Sequence, residues 1–253
     1  MQRSVTRETL IKRTNKAELW RLDDNLVVKR YFVENSVERV LHDQRSLLYI
    51  EEAFGEVDYQ GWSYRSVKLL CLGIDRKSVG LEFVSGNVLV DVPKARMKEA
   101  EYHCGVLLAQ YHNKVLGASN EGLIYTDFCV QNIVIDFPGQ SITVIDPGMA
   151  WGRLGNVHED LVQHINSVIM VLVSRRKASL SDIMGFLKGY RGARRAQPHL
   201  RVYLQGLARQ LRRQFLTYAG ESSWKCLAFS LAVCILSPFY LVVVPAKLSG
   251  RGK

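Results

Sequence analysis

The chain lacks the cysteine patterns of small disulfide-bonded and zinc-bound domains. Its cysteines are odd in number and widely spaced, without a Cys-x-x-Cys pair, and histidines and cysteines do not cluster. A disulfide framework or a zinc knuckle needs such pairing, so neither is expected. We predict reduced thiols, typical of a cytosolic protein, at Cys71, Cys104, Cys129, Cys226 and Cys234.

Two further absences narrow the class of protein. The first 25 residues contain Arg3, Arg7 and Lys12 but no long apolar run, so no secretory signal peptide is expected. No order of Ser, His and Asp fits the nucleophile elbow of a hydrolase. The chain has 253 residues, of which 47% are hydrophobic. This length and composition suffice for one large domain or two small lobes.

Positive charge is concentrated in the last third of the chain. From Ser174 onward there are 15 Lys and Arg against only Asp182 and Glu221, a net +13, so the preceding residues carry a net −3 of the total +10. Such a basic block usually binds nucleic acid or an anionic membrane surface. The block lacks interleaved aromatic residues for base stacking, so we expect no nucleic acid.

A hydrophobic segment follows the basic block. Residues 226–245 contain no charged side chain. As a helix they would span roughly 30 Å, the thickness of the hydrocarbon core of a bilayer. We therefore expect residues 221–253 to form a tail associated with the inner face of a membrane, with a last buried helix or a helix–helix contact as the alternatives. Anionic lipid head groups would then contact the basic helix before it.

The N-terminal part of the chain has β-like periodicity followed by a helix. Three runs, 8–13, 17–22 and 26–32, are separated by short turns and predict an antiparallel meander. A helix is predicted over 36–53 with Ser36 as its N-cap. Its apolar stripe is predicted to comprise Val37, Val40, Leu41, Leu47, Leu48 and Ile50.

The remaining segments alternate between strand-like and helical patterns. Runs 64–72 and 79–84 predict a second hairpin, and apolar residues spaced by three and four predict helices over 93–115 and from 157 to 173. His112 lies on the first of these helices, where we expect a packed, hydrogen-bonded core residue. Closing helices are predicted over 181–190 and 200–218.

The central stretch places three oxygen-bearing side chains at the ends of a predicted hairpin formed by 132–136 and 141–145. Asp127 precedes Asn132 by five residues, and Asp146 directly follows the second strand. Carboxylate and amide oxygens suit Mg²⁺ and a neighbouring phosphate ester. The spacing indicates a site for phosphoryl transfer.

This Asp-x-x-x-x-Asn spacing and the later Asp-Pro-Gly resemble the catalytic loop and metal-binding element of the protein-kinase-like superfamily. The variant resembles small bacterial members such as lipopolysaccharide-core kinases, aminoglycoside phosphotransferases, RIO-like kinases and the KEOPS kinase. The resemblance implies an α+β, two-lobe fold with a small antiparallel N-terminal sheet and a mostly helical C-lobe. It also implies Asp127 as the catalytic base and Asn132 and Asp146 as Mg²⁺ ligands.

Other residues receive roles by the same resemblance. Lys29 on the third strand would bind the ATP phosphates, oriented by an acid of the first helix, either Asp43 or Glu38. Backbone groups at Glu82 and Val84 would bind adenine in a hinge between the lobes. Asp160 would brace the catalytic loop, although simple stabilisation of a helix dipole is an alternative.

Two positions depart from the family pattern. Tyr125 replaces the His that commonly lies two residues before the base, and the turn over 14–18 contains no glycine for close backbone approach to phosphate. Either Asn15, Lys16 and the backbone form a looser phosphate clamp, or nucleotide binding is weak.

The resemblance implies an ATP-dependent kinase that uses Mg²⁺, with an N-lobe over 1–84, a C-lobe over 85–220 and the tail over 221–253. The expected acceptor is a hydroxyl of a glycolipid or lipopolysaccharide-core sugar, with a protein Ser or Thr as runner-up. The alternative is a membrane-associated pseudokinase that binds nucleotide or acts as a scaffold.

Overall fold

The computed structural model describes residues 8–22, 25–73, 77–146, 153–173, 177–196 and 206. Two compact units divide these residues: the first contains residues up to 92 together with 131–146, and the second contains 93–130 and those from 153 onward. Strands dominate the first unit and helices the second, which confirms the predicted α+β class.

The first sheet has five strands: β1 (Thr9–Arg13), β2 (Ala17–Arg21), β3 (Leu26–Tyr31), β6 (Leu69–Leu72) and β7 (Ser78–Glu82). The sheet is antiparallel, and the strand order is β1-β2-β3-β7-β6. The meander of β1, β2 and β3 and the antiparallel pair of β6 and β7 confirm the predicted pairing.

Helix α1 (Ser36–Ala53) has the predicted bounds, but it buries a narrower face than predicted. Val40, Leu47 and Ile50 are buried, whereas the other three residues of the predicted stripe, Val37, Leu41 and Leu48, are exposed. The buried positions follow a spacing of three and four that includes Asp43, so one stripe of the helix faces the core. Ser36 is the first helical residue rather than the cap, which is Asn35.

The second sheet of the first unit has five strands: β4 (Glu56–Tyr59), β5 (Trp62–Ser66), β8 (Asn87–Val88), β10 (Ile133–Asp136) and β11 (Ser141–Val144). The sheet is mixed, and the strand order is β4-β5-β11-β10-β8. Its hairpin of β10 and β11 confirms the predicted central hairpin. The predicted single run over 64–72 is wrong, because it divides between β5, which pairs in parallel with β11, and β6 of the first sheet.

Three helices and a two-stranded ribbon form the described part of the second unit. The helices are α2 (Met97–Val115), α3 (Val157–Ser167), which continues as a π-helical turn over Val168–Val173, and α4 (Leu180–Ala193). The ribbon pairs β9 (Glu121–Leu123) with β12 (Leu154–Asn156). Helices α2 and α4 pack very closely, since a Cβ at Gly105 would collide with the backbone at Phe186 and one at Gly189 with that of Tyr102.

Two predicted elements lie outside the described residues: most of the helix over 200–218, and the hydrophobic tail over 221–253. Within the described ranges, no helix combines the length and apolar character needed to cross a membrane. Membrane association through the tail remains a prediction.

Candidate functional site

Lys29 lies between two carboxylates of the first unit. Its Nζ is 3.0 Å from Asp43 Oδ2 on α1 and 3.3 Å from Asp146 Oδ2, directly after β11. Burial alone would lower the pKa of Lys29, but Asp146 and Asp43 together raise it above its ordinary value. The ammonium therefore stays charged, as a group that binds phosphate must.

The structure distinguishes between the two candidate acids on α1. Asp43 is buried and pairs with Lys29, whereas Glu38 lies on the exposed side of the helix. Asp43 belongs to the stripe that faces the sheet, five residues after Glu38, and this position brings its short side chain to the strand. Arg30 points to the other face of β3, as expected, and pairs with Glu8 at 3.2 Å.

Tyr31 is a member of this cluster that the sequence analysis did not identify. Its hydroxyl donates to Asp43 Oδ2 at 2.5 Å, so one carboxylate oxygen receives both this hydrogen bond and the Lys29 ammonium. Burial raises the pKa of the Tyr31 phenol, which keeps it a donor. The strand pattern already indicates this proximity, because residues two apart on a strand share a face and Tyr31 follows Lys29 by two.

Asn132 and Asp146 flank the β10–β11 hairpin of the first unit. The N–H of Ile145, adjacent to Asp146, donates to the C=O of Asn132 at 2.8 Å, so the backbone of the two metal-ligand candidates is tied together. As metal ligands, these two side chains offer a carboxylate and an amide oxygen, and the Asp146 side chain is 37% exposed. This donor chemistry fits Mg²⁺.

The turn proposed to cover the phosphates is closed by its own threonine. Thr14 Oγ1 accepts from the N–H groups of Lys16, at 3.2 Å, and Ala17, at 3.0 Å, and it donates to the Ala17 C=O. These are the backbone donors that a looser phosphate clamp would use. Both N–H groups are therefore already paired within the turn, and weak nucleotide binding stays a prediction.

The predicted adenine-binding residues lie at the end of β7. The Glu82 side chain forms an ion pair with Arg65 and accepts from the Lys68 N–H at 2.8 Å, so it has a structural function of its own. Val84 is partly buried and packs against the hydrophobic core cluster that includes Ala17 and Leu81. An apolar wall with backbone groups at its edge suits a flat base, and the binding of adenine there remains a prediction.

Asp127 lies in a loop of the second unit that is held by a buried carboxylate. Asp160, near the start of α3, accepts the N–H of Tyr125 at 2.8 Å through Oδ2 and that of Thr126 at 2.7 Å through Oδ1. The geometry matches the predicted brace. Thr126, directly before Asp127, has φ +66°, a left-handed conformation that is strained for a β-branched residue.

His112 and Tyr190 support this brace from behind. His112 Nε2 lies 2.9 Å from Asp160 Oδ2, and its Nδ1 lies 2.8 Å from the Tyr190 hydroxyl. Burial lowers the pKa of His112, so the ring is neutral, with Nε2 donating to the carboxylate and Nδ1 accepting from the phenol. His112 is thus the hydrogen-bonded core residue predicted, whereas no local pattern indicated the contact with Tyr190, 78 positions away.

Aromatic packing fixes the same loop. The Tyr125 ring lies edge-to-face on Phe128 at 5.8 Å and on Tyr111 at 5.5 Å. Ser167 Oγ accepts the Val130 N–H at 3.1 Å from the end of α3. The residue that departs from the family pattern, Tyr125, is therefore buried as part of the loop's packing.

Solved structures with a similar backbone are phosphotransferases, at low sequence identity. One is a mutant of aminoglycoside 2'-phosphotransferase-IIIa bound to GDP, with TM-score 0.53, 11% identity and coverage of 94% of this chain and 93% of that one. Another is the macrolide 2'-phosphotransferase MphH from Brachybacterium faecium, with TM-score 0.52, 13% identity and 90% coverage of both chains.

A choline/ethanolamine kinase family protein from Mesorhizobium loti is also similar, with TM-score 0.51, 9% identity and coverage of 98% of this chain and 82% of that one. No protein-family model and no curated protein matches the sequence. The likeness therefore lies in the backbone, and it establishes that the protein has the protein-kinase-like fold of these phosphotransferases.

Proposed function

We propose that the chain is an ATP-dependent phosphotransferase that transfers the terminal phosphoryl group to an acceptor hydroxyl. The observation that carries this proposal is the contact of Lys29 with both Asp43 and Asp146. One ammonium and two carboxylates leave a net negative charge, which favours a divalent cation beside the phosphates. A purely structural ion pair would have no need of a second, part-exposed carboxylate.

The proposed roles divide among the described residues. Lys29, held by Asp43 and Tyr31, binds the phosphates of the nucleotide, and Glu82 and Val84 contribute backbone groups to its base. Asp127 accepts the proton of the acceptor hydroxyl as the new oxygen–phosphorus bond forms and the bond to the ADP oxygen breaks. Catalysis in this scheme is mainly positioning and charge neutralisation.

Mg²⁺ is the expected cofactor, and Asn132 and Asp146 are the residues that would hold it. When bound, Mg²⁺ neutralises charge on the phosphate oxygens. The backbone hydrogen bond between Ile145 and Asn132 supports this assignment, because it fixes the two ligand segments to each other before any cation binds.

The acceptor is proposed to be a small hydroxyl-bearing molecule or glycolipid. The similar structures are named for aminoglycosides, macrolides and choline or ethanolamine, and the uncharged segment over 226–245 favours a substrate at a membrane, such as a lipopolysaccharide-core sugar. A protein Ser or Thr is the runner-up. A screen of these acceptor classes with purified protein and labelled ATP would decide among them.

Three variants test the assignment. Asp127→Asn and Asp146→Asn should each abolish transfer of label from ATP, while Asp58→Asn, an exposed carboxylate on β4, should leave it unchanged. Circular dichroism would establish that all three are folded. Transfer at the wild-type rate by either of the first two variants would refute the proposed roles.

A pseudokinase that acts as a scaffold without turnover is the second candidate. The Thr14 hydrogen bonds favour it, because they occupy backbone donors of the phosphate turn that would otherwise bind nucleotide. Thermal-shift titration with ATP, with and without Mg²⁺, distinguishes the two candidates. Absence of both nucleotide binding and label transfer would favour the scaffold, and Mg²⁺-dependent binding with transfer would favour the enzyme.

A further inference from the structure

A second group of potential metal ligands lies in the second unit, within its helical core. Glu101 and Cys104, one turn apart on α2, meet His164 of α3, and one ligand atom from each residue lies within 4.8 Å of the other two. All three residues are fully buried. Cys104 and His164 lie 60 positions apart in the sequence, so local spacing does not indicate that they meet.

The hydrogen bonding of this cluster is incomplete. His164 Nε2 lies 2.8 Å from Glu101 Oε2, but among the described residues Glu101 Oε1 and His164 Nδ1 have no hydrogen-bond partner. A buried carboxylate oxygen without a donor is costly and uncommon. The surroundings do not compensate, because the His164 ring stacks on Phe186 at 4.3 Å and lies 5.3 Å from Phe128.

We propose that Glu101, Cys104 and His164 bind a thiolate-preferring divalent cation such as Zn²⁺. Sulfur, imidazole nitrogen and carboxylate oxygen are the ligands that zinc accepts, whereas Mg²⁺ favours oxygen alone, so this site differs in chemistry from Asn132 and Asp146. Cys104 loses its thiol proton to solvent on binding. One thiolate, one carboxylate and the dication then sum to zero charge, which suits a fully buried position.

The cation would act on structure rather than on the reaction. It would join α2 to α3 and hold His164 against Phe128, which belongs to the loop that contains Asp127. Ser167, one turn after His164, donates to the His164 C=O at 2.7 Å and accepts from Val130. Movement at His164 would therefore reach that loop. The site does not depend on the proposed phosphotransferase function.

The first experiment measures metal in the purified full-length chain by inductively coupled plasma mass spectrometry. We expect about one zinc per chain, as for a single mononuclear site, and a lower melting temperature after removal by a chelator. Reconstitution with Co²⁺ should produce a near-ultraviolet thiolate-to-cobalt charge-transfer band. A wild-type chain that binds neither zinc nor Co²⁺ with this band would overturn the proposal without any variant.

Substitutions then assign the ligands. Cys104→Ser and His164→Asn should lose the charge-transfer band and the stoichiometric zinc. Cys71→Ser, at an exposed cysteine, and Asp146→Asn, in the proposed Mg²⁺ site, should retain both. Zinc that stays in Cys104→Ser would be an adventitious ion only, and loss of the band in Cys71→Ser would place the site elsewhere, so either result contradicts the proposal.

Discussion

The charged residues around Lys29 and those around Asp160 differ in exposure and in the partners they hold. Lys29 and Asp146 keep 13% and 37% of their side-chain surface, and they contact other side chains. His112 and Asp160 keep none, and Asp160 accepts from two backbone N–H groups as well as from His112. Side-chain partners near solvent can be exchanged for a ligand, whereas a buried carboxylate that holds backbone cannot give up its partners without loss of stability.

The largest effect is expected from Asp160→Ala. This change leaves the N–H groups of Tyr125 and Thr126 and the ring of His112 without their acceptor. Each donor left unsatisfied costs about 1–3 kcal/mol, so a loss of about 3–5 kcal/mol is expected. The free energy of unfolding in urea measures it. Asp136→Ala is the control. Within the described part of the chain, the Asp136 side chain accepts only from exposed groups of Ser85 and Gly139, so about 1 kcal/mol is expected.

Equal destabilisation by the two alanine variants would remove the distinction between exchangeable and structural carboxylates. It would mean that the hydrogen bonds from Asp160 to the loop contribute as little to stability as those of an exposed carboxylate. A large effect of Asp160→Ala alone would support the distinction.

Lys29→Met tests the other side of the comparison. If Lys29 binds the phosphates, turnover should fall about 10²- to 10³-fold, or ~3–4 kcal/mol in the barrier. The free energy of unfolding should also fall, because the buried Asp43 carboxylate loses its cation, so turnover is measured where the variant is fully folded. Arg30→Met, on the opposite face of β3, is the matched control and should keep its activity. Equal turnover in the two variants would show that Lys29 is only a structural cation.

Patterns within one element predicted much of the fold. Strand bounds agreed within one or two residues for β1, β2 and β3, and α1 agreed at both ends, because alternation and helical spacing are local properties. The resemblance to the protein-kinase-like superfamily, rather than periodicity, made Lys29 a specific prediction. It also gave two possible acids on α1, since spacing alone cannot say which side of the helix meets the sheet.

Features that depend on distant partners were not predictable in this way. The run over 64–72 looks uniform, yet its first part pairs with β11, some 78 residues later. Tyr190 and His164 likewise form hydrogen bonds with residues of α2. Gly189 packs against the backbone at Tyr102. A single sequence records that such residues are apolar, small or titratable, but not which element they will meet.

Gly189→Ala tests how closely α2 and α4, which carry His112 and Tyr190, must pack. The added methyl would collide with the Tyr102 backbone, and such overpacking typically costs about 1–3 kcal/mol. Gly192→Ala, on the same helix but facing open space, should instead stabilise the protein by up to ~1 kcal/mol through better helix propensity. Thermal unfolding compares the two. If both variants gain stability, the close approach of the helices is not required.

Thr126→Asn is expected to have the smallest effect on stability and to be informative for that reason. Thr126 has φ +66° and Gln140, in the exposed turn between β10 and β11, has φ +48°. Asn tolerates this conformation better than either residue, so both Thr126→Asn and Gln140→Asn should gain up to ~1 kcal/mol in unfolding experiments. The two variants should differ in turnover, because Thr126 is adjacent to Asp127 in the chain and Gln140 is not. If the hydrogen bonds from Asp160 keep Thr126 in this strained conformation in order to orient Asp127, Thr126→Asn alone should change turnover. If both variants keep full turnover, the conformation at Thr126 results from packing alone. The hydrogen bonds from Asp160 would then contribute to stability without orienting the base.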